Sequence, residues 1–114
     1  MIIKNPQEVP YEDTSAYQGV KKQIYLGPKD GSDEIIMRYF TVEPGGATPY
    51  HKHDFQHLVK VESGKGIVID KDGIAHKIST GDLIYVKDDE IHGFKNVSNE
   101  PFSILCIVPA RGEN

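Results

Sequence analysis

The sequence predicts an all-β protein, a sandwich or barrel with few or no helices. Short β-rich segments alternate with turn residues, no stretch carries the apolar period of an amphipathic helix, and the breaks recur at regular spacing. The expected strands are residues 23–26, 35–42, 57–62, 65–69, 75–79, 82–86, 93–96 and 102–108. Between them lie Pro28-Lys29-Asp30-Gly31, Pro44-Gly45-Gly46, Ser63-Gly64-Lys65-Gly66, Asp70-Lys71-Asp72-Gly73, Thr80-Gly81-Asp82 and residues 97–101. Glycine supplies the positive φ such turns need, and proline presets φ for them. Leu83-Ile84-Tyr85-Val86 and residues 104–108 are apolar on both faces. A small barrel turns only one face inward, so the outer face needs cover, and a homodimer is expected to provide it.

At 114 residues the chain is the size of one domain, and folding buries roughly two-thirds of the surface an extended chain exposes. With 38% hydrophobic and 26% charged residues it is too apolar for a disordered chain. Residues 1–22 are polar, carry Pro6 and Pro10, and read as an N-terminal arm. Such an arm packs on the barrel, crosses to a second subunit or stays loose; residues 23–114 form the barrel domain. The net charge of −4 argues against a nucleic-acid surface. Lys21-Lys22, the only adjacent basic pair, fits a solvated strand edge. The longest apolar run, residues 104–108, is far too short to span a membrane, and the N-terminal stretch lacks a signal-peptide core. A cytoplasmic location is therefore expected. Cys106 is the only cysteine, so no intrachain disulfide forms, and a small buried apolar role is the default reading.

Four of the five histidines lie where metal chemistry explains them. His51 and His53 are two apart, so on extended backbone they project to one side. His57 is in phase with Val59 and Val61, while Leu58, Lys60 and Glu62 take the opposite phase. His92 is in phase with Phe94 and Asn96. One barrel interior would thus collect the imidazoles. Neutral imidazole offers a nitrogen lone pair to a divalent ion. A single His-x-His would read as surface loop residues, whereas four histidines in this pattern point to metal binding. His76 stands apart as a solvent-exposed residue.

Gly45-(five residues)-His51-x-His53-(three residues)-His57-(six residues)-Gly64 resembles the first motif of the cupin family, and Gly81-(ten residues)-His92-(three residues)-Asn96 resembles the second. Three positions depart from the usual pattern. His57 stands where many cupins have glutamate, and Lys87 and Asp89 replace a common proline and glycine. Phe40-Thr-Val-Glu-Pro-Gly-Gly46, Glu90-Ile-His-Gly-Phe-Lys-Asn96 and Leu105-Cys-Ile-Val-Pro109 are similar to small four-histidine, manganese-binding monocupins of thermophilic bacteria. The resemblance implies a single cupin barrel (double-stranded β-helix, or jelly roll), commonly dimeric with an exchanged N-terminal strand. It also implies His51, His53, His57 and His92 as ligands of one divalent transition metal. Manganese is the first choice, and iron, nickel, copper or zinc would suit the same donors.

A divalent ion on four neutral imidazoles keeps its full charge, which makes it harder to oxidise and a stronger Lewis acid. In an octahedron, four protein ligands leave two positions for water, substrate or dioxygen. The leading expectation is a metal-dependent oxidoreductase or dioxygenase acting on a small organic substrate. The alternatives are a non-redox isomerase or decarboxylase and a non-catalytic metal- or ligand-binding module. No residue stands out as a general base: Glu62 is in the outward phase, and Asp54 and Glu90 read first as solvated acids, with a role in orienting the histidines as the alternative. Arg38 shares phase with Ile36 and Phe40. A surface or interface arginine is the default, but if that face is internal Arg38 could pair with a substrate carboxylate. Phe40, Phe94, Phe102 and Cys106 complete the candidate pocket, with Tyr50 and Phe55 as further aromatic candidates.

Overall fold

The computed structural model describes residues 1–113. It contains nine strands: β1 (Tyr11–Glu12), β2 (Gln18–Leu26), β3 (Ile35–Ala47), β4 (His57–Ser63), β5 (Lys65–Ile69), β6 (Ala75–Ser79), β7 (Leu83–Val86), β8 (Gly93–Lys95) and β9 (Phe102–Pro109). Short 3-10 turns at Pro6–Glu8, Pro28–Asp30 and Ala110–Glu113 are the only helical elements among the described residues. The strands form one curled sheet in the order β6-β5-β8-β3-β9-β4-β7, with β2 also paired to β3 and β1 to β2. This is the barrel that the sequence predicts.

β3 is the spine of the curl. Along one edge it pairs with β2, and along the other it pairs first with β9, from Ile35↔Pro109 to Val42↔Phe102, and then with β8 at Ala47↔Lys95. The change of partner falls at Pro44-Gly45-Gly46, which the sequence presents as a turn. The backbone does bend there, with Gly45 at φ 82°, but the strand continues through the bend. Gly46 lies so close to Gly19 that a Cβ on it would come within 2.4 Å of the Gly19 carbonyl oxygen. A side chain at this crossing would force β2 and β3 apart.

The sequence places the boundary of the arm at residue 22, but β2 already starts at Gln18. The reason is tertiary: this polar segment finds its ladder on β3, with Val20 opposite Val42 and Lys22 opposite Phe40. Farther upstream the chain lies against its own barrel. Val9 is buried, Gln23 Nε2 donates to the Val9 carbonyl at 3.0 Å, and Lys4 pairs with Asp30 at 3.0 Å.

Inside, alternate residues of β3, β4 and β9 build the core. Ile36, Phe40 and Val42 meet Val59 and Val61 of β4 and Phe102, Ile104, Cys106 and Val108 of β9. The default reading of Cys106 as buried holds. Gly66 is flattened against Phe102, where a Cβ would stand 2.6 Å from the ring. On the outside, Leu58, Leu83 and Tyr85 leave apolar surface exposed over β4 and β7.

Asn96 is almost wholly buried, at 1% exposure. Its Nδ2 donates to the carbonyls of Val42 and Glu100, and its Oδ1 accepts from Ser98 N and Oγ. One amide therefore closes the 97–101 turn and ties it to β3. Removing it strands two carbonyls and opens a small cavity. Asn96→Ala is expected to lower unfolding stability by roughly 2–3 kcal/mol in urea denaturation, with the slope unchanged.

Candidate metal centre

The two histidine-bearing segments are joined by backbone. Residues 45–53 run antiparallel to residues 89–96 through Gly45 N to Asn96 O, Thr48 N to Phe94 O, and Asp89 N to His53 O at 2.9, 2.9 and 2.7 Å. At the centre His51 and His92 exchange both amide–carbonyl hydrogen bonds at 3.0 Å. Residues so paired turn their side chains to the same face. Asp89, where many cupins carry glycine, sits at φ 61°, the left-handed conformation a glycine would favour and an aspartate tolerates. His57 opens β4 opposite Val86, and its phase with Val59 and Val61 is inward, as predicted.

The four imidazoles converge. Ring centroids are 4.3 Å apart for His51–His53, 4.9 Å for His57–His92, 5.3 Å for His53–His57 and 5.9 Å for His51–His92. His51 Nε2 and His53 Nε2 lie 3.1 Å apart. Two nitrogens bound at right angles to a metal, each about 2.1 Å from it, stand about 3.0 Å from each other, so this spacing suits a shared ion. As they stand, no three His, Cys, Asp or Glu side chains among the described residues form a closed metal-ligand cluster. The rings approach one region without being drawn to one point.

The donor chemistry fits a divalent transition metal. His92 Nδ1 lies 2.9 Å from the Glu90 carbonyl, and donation to it leaves the Nε2 lone pair for a ligand. His57 Nδ1 is buried with no hydrogen-bond partner. Burial, and then neighbouring positive charge, hold His51 down to about 4 and His57 down to about 3, and lower His53 as well. Neutral imidazoles are the form that binds metal.

These rings open on a cavity of about 270 Å³. Arg38, Phe40, Phe94 and Cys106 line it, so the inward alternative for Arg38 is the one realised. Phe102 does not line it. Its inward phase is as expected, but it lies at the far end of β9, opposite Val42 and under Gly66, where it fills the core. Lys22 lines the cavity too, half-buried rather than on a solvated edge. Its alternation with Val20 and Ile24 was the signal that could have found it. Tyr50 is exposed, its hydroxyl donating to the Asp70 carbonyl, and His76 is exposed beside Asp70 at 2.7 Å. Phe55 stacks on His53 at 4.8 Å, and Arg111 clamps the segment between them, donating to Asp54 Oδ1 at 2.8 Å and to the Asp54 carbonyl at 3.0 Å. A larger groove of about 430 Å³ near Met1 and Ile2 is mostly apolar, with Asp30 and Ser32 at its wall, and contains no histidine.

A sequence model of the cupin domain matches residues 38–108. The chain belongs to the cupin family. In three dimensions this cupin is similar to the polyketide cyclase RemF from Streptomyces resistomycificus, with a TM-score of 0.91 at 24% identity over 96% of this chain and 80% of that one. It is also similar to a cupin 2 domain-containing protein from Halorhodospira halophila, at 31% identity over 87% of this chain and 68% of that one, with a TM-score of 0.75. Among curated proteins it is 25% identical over 99 residues, or 87% of its length, to 1-methylthio-D-xylulose 5-phosphate methylsulfurylase from Rhodospirillum rubrum. This cupin spans 62% of that relative's length. No helix of the described residues is long and apolar enough to cross a membrane.

The lowered histidines set an acid limit on stability. In the unfolded chain they take up protons near their ordinary value of 6.5, whereas in the fold His51 does so only near 4 and His57 near 3. Between these values the unfolded state binds more protons, so stability falls as pH falls. The metal-free protein is expected to keep a nearly constant melting temperature between about pH 7 and pH 8 and to lose stability progressively from pH 6.5 towards pH 4, followed by circular dichroism.

Proposed function

We propose that this cupin is a metal-dependent oxidoreductase of the oxygenase type, acting on a small organic substrate at a centre held by His51, His53, His57 and His92. The observation that carries the reading is the convergence of four imidazoles on one cavity. Manganese is the proposed metal, on the resemblance to the four-histidine cupins. A bound first-row ion supplies Lewis acidity and one-electron redox chemistry.

The chain's own contribution is positioning and charge. The Glu90 carbonyl orients the His92 ring, and Phe55 braces His53. Phe40, Phe94 and Ile104 give the cavity an apolar wall that limits water. His57 brings no charge where a glutamate would bring one, so the site favours anionic ligands more than a three-histidine, one-glutamate site does. A homodimer is proposed as well, supported by the exposed apolar surface of Leu58, Leu83 and Tyr85.

Elemental analysis of untagged protein is expected to find about one equivalent of a redox-active metal, lost in the His53→Ala, His92→Ala double variant. Oxygen uptake with small substrates then separates an oxygenase from a binding module. Zinc alone would favour non-redox chemistry, and no metal even after reconstitution would overturn the reading. His57→Glu is expected to retain metal while its affinity for azide falls by at least about tenfold, measured by titration of the loaded protein.

A further inference from the structure

We propose that Arg111 is a positioning residue of the metal centre: from the C-terminal turn it holds Asp54 and Phe55, and through them it fixes the His53 imidazole in its ligating orientation. This deepens the functional reading above, on which the metal half of the inference rests. The need for a brace follows from how differently the rings are held. His51 and His92 sit on a backbone bridge, and His92 Nδ1 donates to the Glu90 carbonyl at 2.9 Å. His57 belongs to β4. His53 lies on the loop between β3 and β4, outside any strand. Its Nε2 faces that of His51 at 3.1 Å, and among the described residues no hydrogen bond holds its Nδ1.

Phe55 takes the place of that hydrogen bond. Its ring stacks on His53 with centroids 4.8 Å apart and planes 14° from parallel, and it also meets His57 at 5.0 Å. One buried phenyl thus touches two of the four imidazoles. The C-terminal turn closes on the same ring. The Arg111 guanidinium carbon stands 5.5 Å from the Phe55 centroid, and a Cβ on Gly112 would come within 2.9 Å of the ring. Arg111 also donates to Asp54 Oδ1 at 2.8 Å and to the Asp54 carbonyl at 3.0 Å. Both residues that follow His53 are therefore gripped by one side chain, whose planar fork serves several partners at once. The turn has its own footing, with Ala110 N donating to the Glu34 carbonyl at 3.0 Å.

The ion pair itself adds little to folding. The Arg111 and Asp54 side chains are 54% and 77% exposed, and ion pairs in that setting are screened by water. Charge alone would act against the centre, because a cation near the site repels a metal ion. A purely electrostatic role therefore predicts tighter metal binding once Arg111 is gone. A positioning role predicts weaker binding, since groups that orient a ligating histidine carry roughly 10–100-fold in metal affinity. The sign of the change separates the two.

The test titrates the metal-free full chain with manganese(II) and with copper(II), the tighter ion for nitrogen donors. Arg111→Ala is expected to weaken both by about tenfold with a nearly unchanged melting temperature, and Arg111→Lys to recover part of the loss. In a His53→Ala background, followed with copper(II), Arg111→Ala should cost nothing further, because its effect runs through that ring. Proton NMR of the metal-free chain gives a second, metal-independent readout. The His53 ring protons, shifted upfield by the Phe55 face, should move towards those of the exposed His76 in Arg111→Ala. Unchanged or tighter metal binding in Arg111→Ala, the same loss with His53 absent, or unmoved His53 resonances would overturn the proposal. A wild-type chain that takes up neither ion defeats the metal reading alone, because the NMR comparison still decides whether Arg111 positions His53.

Discussion

The antiparallel pairing of residues 45–53 with residues 89–96 is the constraint on which the site depends. It is made mainly by backbone, with Thr48 Oγ1 also accepting from Phe94 N, and its central backbone bridge fixes His51 opposite His92. Gly46 lets β2 and β3 cross closely where this pairing begins, and Asn96 anchors that same end through β3 and the 97–101 turn. The backbone of Asp89 reaches back to His53 and holds the loop that carries it. His51 and His92 are thereby placed by paired backbone, His57 by β4 and His53 by the loop held to Asp89.

Much of this was legible in the chain because period-two alternation has few alternative explanations. His57, Val59 and Val61 are buried while Leu58, Lys60 and Glu62 are exposed, as their phases require. The inward phase of His92 with Phe94 and Asn96 is equally direct. What was not legible depended on partners distant in sequence. Gln18 to Lys22 looks too polar for a strand until β3 lies beside it. Pro44-Gly45-Gly46 has turn composition but serves as a bend within a long strand, because the strand exchanges β9 for β8 at that point.

Phase also has a limit, which Phe102 and Cys106 illustrate. Both point inward from β9, yet only Cys106 reaches the cavity, since depth along the barrel axis is set by register and not by alternation. The same limit concealed Lys22. An adjacent basic pair reads as solvated, but Lys21 and Lys22 face opposite sides of one strand, and Lys21 meets Glu43 outside at 3.3 Å while its neighbour turns in.

The order of the histidines along the chain also bears on how the fold is reached. His51, His53 and His57 fall within one short segment, while His92 arrives only after β4 to β7 have been laid down. The pairing that joins them is long-range, and such closures come slowly in β proteins. The three-histidine segment, by contrast, is local in the unfolded chain. Under the proposed metal reading, metal offered during refolding meets three of its donors before the barrel closes, and whatever it binds there subtracts from the stabilisation it would give the native state.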